Sequence, residues 1–224
     1  MNNIPVYFSK GGTATLVLRE IPYTGIAYVV VRTVFPGALS ELIEDCGNFC
    51  RECGAKGCYL SMADGETVEL LPHSYDIYSM KGSKSLFPSA PAPFLLEQVT
   101  TQNDKTYLNL YNRCFHGVTH AMTYDYGQLQ RIHRTGQKAF IVYDSHGQSC
   151  GMGELHDNEL AAVGLLPEFR GKGLSLPLTL QLLSHCPGDT VTLTVVSDND
   201  AAIALYESLS FRITAIESRW YQVY

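Results

Sequence analysis

The residues that most clearly could do chemistry lie in "LLPEFRGKGLS", Leu165 to Ser175. An apolar run, "ELAAVG", precedes them, and a leucine-rich one, "LPLTLQLL", follows. The pattern reads as a strand, a turn with two glycines and two cations, and then a helix. The first N–H groups of a helix have no partner inside it, and the helix dipole adds partial positive charge there. Glycine has no Cβ, so backbone amides can approach an anion closely. Arg170 and Lys172 can add cationic contacts. Pro177 agrees with a helix start, where its missing N–H costs nothing. The chemistry expected of Arg170, Gly171, Lys172, Gly173, Leu174 and Ser175 is therefore phosphate binding. The spacing excludes a Walker A loop, because Gly173 follows Lys172 and no glycine stands at 166. It also lacks the third glycine of a dinucleotide fingerprint.

A second group follows one strand later in "DNDAAIALYESLSF", Asp198 to Phe211. Ala202, Leu205 and Leu209 recur at helical spacing and are expected to form its core face. Tyr206 lies at the edge of that face, where a phenol can protonate a leaving group.

Together the two segments resemble the GNAT superfamily of N-acetyltransferases. Arg170 and Gly173 match the family's [RQ]-x-x-G-x-[GA] signature. Asn199, Ala202, Leu205, Tyr206, Glu207 and Phe211 match N-x-x-A-x-x-L-Y-E-x-x-G-F. Two positions depart from the pattern. Ser175 replaces the last small residue of the loop but keeps its amide. Ser210 replaces the glycine that ends the second helix, which strains the backbone if that position needs a positive φ.

The resemblance implies an α/β fold of the α+β type. Its centre is a mixed sheet whose parallel strands, 159–165 and 190–196, splay apart, with helices flanking. It implies acetyl-CoA as co-substrate. The pyrophosphate would take amides from Arg170 to Ser175, Leu165 would meet the thioester or pantetheine, and Asn199 the pantetheine arm. Tyr206 would protonate the departing thiolate after direct attack by a primary amine. The amine needs a general base. Glu159 is the first candidate, nearest the position where the family often keeps an acid, and Glu154 is the second. The expected acceptor is a small-molecule amine. The alternatives are a protein lysine or N-terminal amine, and a non-catalytic acyl-CoA-binding module.

The rest of the chain must position these residues. Its 224 residues, 46% hydrophobic, suffice for one large core or two small ones. The stretch 87–93, "FPSAPAP", carries three prolines and is the best linker. It separates a smaller α/β domain, 1–88, from a catalytic domain, 94–224. The second part reads strand, two helices, hairpin across "DSHGQ", strand, glycine loop, helix, strand, helix and a closing strand or two. The first part runs strand to helix without the glycine–arginine loop. It reads as a degenerate GNAT-like unit that covers the sheet edge or shapes the acceptor pocket.

In that first part, Cys46, Cys50 and Cys53 have the spacing of a radical-SAM cluster site, with Cys58 as a further thiol. They also continue an apolar helical stripe with Leu39, Leu42 and Ile43, and a packing role is expected, with no metal. His116 and His120 form an i, i+4 pair without a third ligand. A net charge of −6 speaks against a nucleic-acid partner and suits a cationic or neutral substrate. The N-terminal residues show no leader pattern, and no apolar run reaches the roughly 20 residues of a membrane span. Seven unevenly spread cysteines suit a reducing cytoplasm. Oligomeric state is left open.

Overall fold

The computed structural model describes residues 5–63 and 66–224. Residues 1–4, part of the stretch read for a leader, lie outside the described residues. The strands are β1 (Val6–Ser9), β2 (Gly12–Val17), β3 (Ile26–Val34), β4 (Gly57–Met62), β5 (His73–Ser83), β6 (Leu95–Gln98), β7 (Lys138–Tyr143), β8 (Ser149–His156), β9 (Glu159–Leu165), β10 (Thr190–Val196) and β11 (Arg212–Gln222). The helices are α1 (Ile21–Thr24), α2 (Leu39–Glu52), α3 (Asp104–Cys114), α4 (Tyr126–Thr135), α5 (Ser175–Leu183) and α6 (Asp200–Ser208). Among the described residues, no helix is long and apolar enough to cross a membrane.

The chain forms two compact units. The first runs to Tyr78 and takes in Val196–Asp198 and Ile216–Tyr224; the second comprises Ser79–Val195 and Asn199–Ala215. The boundary thus lies eight residues before the proline stretch, and the end of the chain returns to the first unit. The stretch 87–93 is fastened within the second unit. The Phe87 ring stacks on Phe211 at 5.5 Å, and Phe94 exchanges backbone hydrogen bonds with the Gln181 amide at 2.7 and 3.3 Å. Three prolines make this segment extended, and extended chain can lie along a surface as well as link two bodies.

In the first unit the strands follow the order β1-β2-β3-β4-β11. β3 and β4 are parallel, in register from Ile26↔Gly57 to Val31↔Met62, and α2 is their crossover. Strict alternation buries Ala27, Val29 and Val31 under α2. From the helix, Leu42, Ile43, Cys46 and Cys50 complete this core, and Cys58 and Leu60 join from β4. The Cys50 and Cys58 thiols hydrogen-bond each other. Cys53 departs from the expected stripe. The helix ends at Glu52, so Cys53 is its exposed cap and does not converge with Cys46 and Cys50.

In the second unit β6, β7, β8 and β9 form an antiparallel meander, and β10 lies parallel beside β9. The expected hairpin runs from Lys138↔Leu155 to Tyr143↔Ser149. Two glycines reveal the layers. A Cβ on Gly153 would meet Leu182 of α5 at 2.4 Å, and one on Gly164 would meet Cys114 of α3 at 2.9 Å. α5 and α3 therefore pack on opposite faces of the β8–β9 pair. The first face is filled by Leu178, Leu182 and Leu183, the second by Tyr107, Leu110, Tyr111 and Cys114. α4 starts at Asp125, whose carboxylate accepts from the amides of Gly127 and Gln128 at 2.8 and 3.2 Å.

Ser210 follows α6 with φ +64°, a left-handed conformation that favours glycine. Its amide still closes the helix by donating to the Glu207 carbonyl at 2.9 Å. The serine, where the resemblance expects glycine, is therefore strained. Ser210→Gly is expected to raise the free energy of unfolding by about 1 kcal/mol, read from urea denaturation at constant slope.

Candidate active site

The site is built where β9 and β10 part. The register of this parallel pair among the described residues is Thr192↔Glu159, at the entry of both strands. The Thr192 amide reaches the Asn158 carbonyl at 2.9 Å. Toward Leu165 a cavity of about 290 Å³ opens instead of a ladder. Val163, Gly164 and Leu165 form one wall, Ser175, Leu178 and Thr179 of α5 a second, and Asn199 with α6 a third. Cys114, Phe115 and Val118, at the end of α3, close the fourth side.

The sheet needs Gly164 here, because any Cβ would run into α3. The apolar stripe of α6 is divided. Leu209 is fully buried, whereas Ala202 and Leu205 are half-buried and face the cavity rather than the core expected for them. Tyr206 sits on the same wall. It is 8% exposed, its ring lies 5.9 Å from that of Phe211, and burial pushes its pKa up to about 12. The phenol is therefore protonated at neutral pH and can donate.

At the mouth, Gly171 and Gly173 have φ of +71° and +74°, and an added Cβ at either would meet nothing within 4 Å. The glycines are required by conformation, and the space above them is open. α5 follows, and its first backbone bond is Leu178 N–H to Leu174 C=O at 3.1 Å. The amides of Ser175 and Leu176 precede that bond, and Pro177 has none to offer. On the α5 wall the Thr179 hydroxyl is buried with no hydrogen-bond partner among the described residues. A cradle open at the glycines, free first-turn amides and an orphaned wall hydroxyl fit a long ligand with a phosphate end and an amide-bearing arm.

Arg170 does something other than expected. Its Nε donates to the Leu165 carbonyl at 3.1 Å and its Nη2 to the Cys114 carbonyl at 2.6 Å. Its own amide donates to Pro167 C=O at 3.2 Å. Two of the guanidinium's five N–H donors tie the loop to β9 and α3 while Arg170 lines the cavity, and its amide is taken by Pro167, so the amide cradle starts at Gly171. Lys172 stays exposed, its ammonium 5.2 Å above the Phe169 ring. Asn199 caps α6, with its Oδ1 accepting from Ala202 N–H at 3.2 Å, which leaves its amide donors for the cavity.

The two carboxylates are placed differently. Glu159 begins β9, about 20 Å of strand from Leu165, and does not line the cavity. Glu154 lies on β8, opposite Ala162, and is 1% exposed. Sequence reasoning missed its partners, Tyr107, Tyr124 and Gln137. It accepts a short hydrogen bond from the Tyr107 hydroxyl, one from Tyr124 at 3.0 Å and one from the Gln137 amide at 2.6 Å. Burial pushes the Glu154 carboxyl up, and these donors with the Arg131 charge pull it back. Tyr107 and Tyr111, with Leu110 and Cys114, make an i, i+3, i+4, i+7 stripe. Two phenols on a buried stripe signal a buried acceptor for their hydroxyls. His120, in the loop after α3, has φ +59°, and burial pushes its pKa down to about 4, so the imidazole is neutral.

The family profile described as FR47-like protein matches residues 149–221. N-alpha-acetyltransferase RimI of Mycobacterium tuberculosis is 38% identical over 65 residues, 29% of this chain and 41% of that protein. A mycothiol acetyltransferase of Kocuria rhizophila is 41% identical over 73 residues, 31% of this chain and 22% of that one. The matched segments span less than half of either relative. Among solved structures, a GCN5-related N-acetyltransferase from Sphaerobacter thermophilus superposes with TM-score 0.57 at 15% identity, over 94% of this chain and 75% of that one. A tandem GNAT protein from the clavulanic acid biosynthesis pathway gives 0.53 at 16%, over 97% and 80%. Residues 149–221 of this chain are thus similar to FR47-like proteins, and the fold, with its parted strands and glycine-loop mouth, is shared with GCN5-related N-acetyltransferase structures.

If Arg170 is a tether, Arg170→Ala should lower stability by about 1 kcal/mol, since the side chain is exposed. It should also raise hydrogen exchange in residues 165–175. A variant with wild-type exchange there would show that the two carbonyl contacts do not hold the loop.

Proposed function

We propose that this chain is an acetyl-CoA-dependent N-acetyltransferase acting on a primary amine. The observation that carries the reading is the cavity between β9 and β10, with an open glycine cradle at its mouth and a protonated tyrosine on its wall. Gly171, Lys172, Gly173, Leu174, Ser175 and Leu176 would hold the pyrophosphate with backbone amides and one ammonium. Leu165, Thr179 and Asn199 would orient the pantetheine arm. Acetyl-CoA supplies the activated thioester.

Direct attack suits this wall, on which there is no serine or cysteine poised beside a base. Cys114, the cavity's one thiol, is pushed up to about 12 by burial and is a poor nucleophile at neutral pH. The amine nitrogen bonds to the thioester carbonyl carbon, the C–S bond breaks, and the Tyr206 hydroxyl gives its proton to the leaving sulfur. The proton remaining on the new amide nitrogen then restores Tyr206.

A small amine is favoured as acceptor by the chain's net charge of −6, which attracts an ammonium. The name of the RimI relative points to a second acceptor of the same chemistry, the α-amine of a protein. The seven free thiols suit a reducing, cytoplasmic setting.

Calorimetric titration with acetyl-CoA tests the reading. Wild type should bind at micromolar concentration. Gly173→Asp, which puts a side chain on a left-handed residue and an anion in the cradle, should weaken binding about 100-fold, or about 2.7 kcal/mol. Absence of binding to a folded wild type would refute the proposed function.

A further inference from the structure

The acceptor arrives as an ammonium and must lose a proton before it attacks. Glu159 is at the wrong end of its strand to take it. Glu154 is nearer but enclosed. It shares the α3-facing side of the sheet with Gly164, a cavity-wall residue, as its diagonal neighbour. That relation puts the two about 7–8 Å apart. No atom of the carboxylate needs solvent to be satisfied. Tyr107, Tyr124 and Gln137 donate to three of its roughly four acceptor positions.

The two phenols on Glu154 are not equivalent. Tyr107 is fully enclosed at 0% exposure, while Tyr124 is 9% exposed. Tyr124 closes the segment that begins at the cavity-wall residues Phe115 and Val118. Its ring stacks on Tyr111 at 3.5 Å, and Tyr111 packs on Phe115 at 4.7 Å. Ring contacts thus connect Phe115 on the cavity wall through Tyr111 to the tyrosine whose hydroxyl holds Glu154. The backbone anchors that hydroxyl too. The Asn112 side chain accepts from Tyr124 N–H at 2.8 Å and donates to Tyr124 C=O at 3.0 Å. The other groups facing Glu154 are Tyr107 from α3, Arg131 from α4 and Gln137.

We propose that Tyr124 is the group that deprotonates the acceptor, by relay to Glu154. This deepens the acetyl-transfer reading and rests on it. The ammonium gives one proton to the Tyr124 oxygen as the Tyr124 hydroxyl proton passes to the Glu154 carboxylate. The amine becomes neutral, the phenol is regenerated, and Glu154 carries the proton until the product leaves and solvent takes it. Tyr124 is the catalytic residue of this step, and Glu154 acts through it as a positioning and proton-holding residue. Phe115 on the cavity wall, backed by Tyr111, makes this side aromatic, so the acceptor class it fits is an amine on a flat or apolar body, whose ammonium is attracted by ring faces.

The test compares two nucleophiles of one shape on the full-length protein with acetyl-CoA. Phenethylamine is charged at pH 7, whereas O-benzylhydroxylamine is already neutral and needs no base. Tyr124→Phe and Glu154→Gln should each lower kcat for phenethylamine about 100-fold with KM within about 2-fold. For O-benzylhydroxylamine the loss should stay below about 3-fold. Tyr124→Phe removes one oxygen and keeps the stack, so it guards against a folding defect in Glu154→Gln. Equal losses on both nucleophiles would make the network structural and overturn the relay, as would no loss on either. A wild type that binds acetyl-CoA but transfers to neither probe would overturn the aromatic acceptor site and the relay with it, whereas one that does not bind acetyl-CoA would overturn the transfer reading itself.

Discussion

Two parallel strands that pair at one end and part at the other set the terms for everything around them. Backbone groups that leave a ladder must find other partners or face a ligand. Here β9 and β10 are joined through Thr192 and Glu159, and they frame a cavity at the opposite end. The parting needs small residues and firm walls. Gly164 lets α3 approach within the space of a Cβ, and Gly153 does the same for α5 on the other face. The gap is therefore held open from both sides by close packing, not by the loop that covers its mouth.

The loop itself is kept in place by charge used structurally. The Arg170 guanidinium uses two of its donors on the carbonyls of Leu165 and Cys114, which join the last residue of β9 to the end of α3. The neighbouring glycines adopt left-handed conformations that a side chain would resist. Tethered base, left-handed glycines and a helix start together leave backbone amides pointing where an anion can sit. The opposite wall carries the Tyr206 phenol, kept protonated by burial, and ring contacts join Phe115 of the side wall through Tyr111 to Tyr124, which donates to a buried carboxylate. In the proposed mechanism, recognition, leaving-group protonation and proton removal would belong to three different helices or segments around one gap.

Much of this is legible in local sequence. Strand 159–165, the glycine loop and the helix after it follow from periodicity, Pro177 and the paired glycines, and each is set by nearest neighbours along the chain. The strain at Ser210 was readable because a missing glycine leaves a backbone requirement behind. What local pattern does not carry is which partner a side chain finds across the fold. Arg170 looks like a phosphate ligand until two carbonyls, one of them 56 positions away in the chain, claim it. Ala202 and Leu205 look like core until the neighbouring strands part. Glu159 and Glu154 are equivalent as acids near a turn. Register alone decides that one begins β9 and the other faces Tyr107 and Tyr124. The proline stretch likewise shows an extended conformation without showing what it lies against.

The most direct test of the central claim is hydrogen exchange at single amides, with and without acetyl-CoA at saturation. A cradle made of the loop and the first turn of α5 predicts strong protection at Gly171, Gly173, Ser175 and Leu176 on binding, with Arg170, already bonded to Pro167, little changed. Saturable binding that leaves those amides exchanging as before would contradict it, and would place the donor site somewhere other than between β9 and β10.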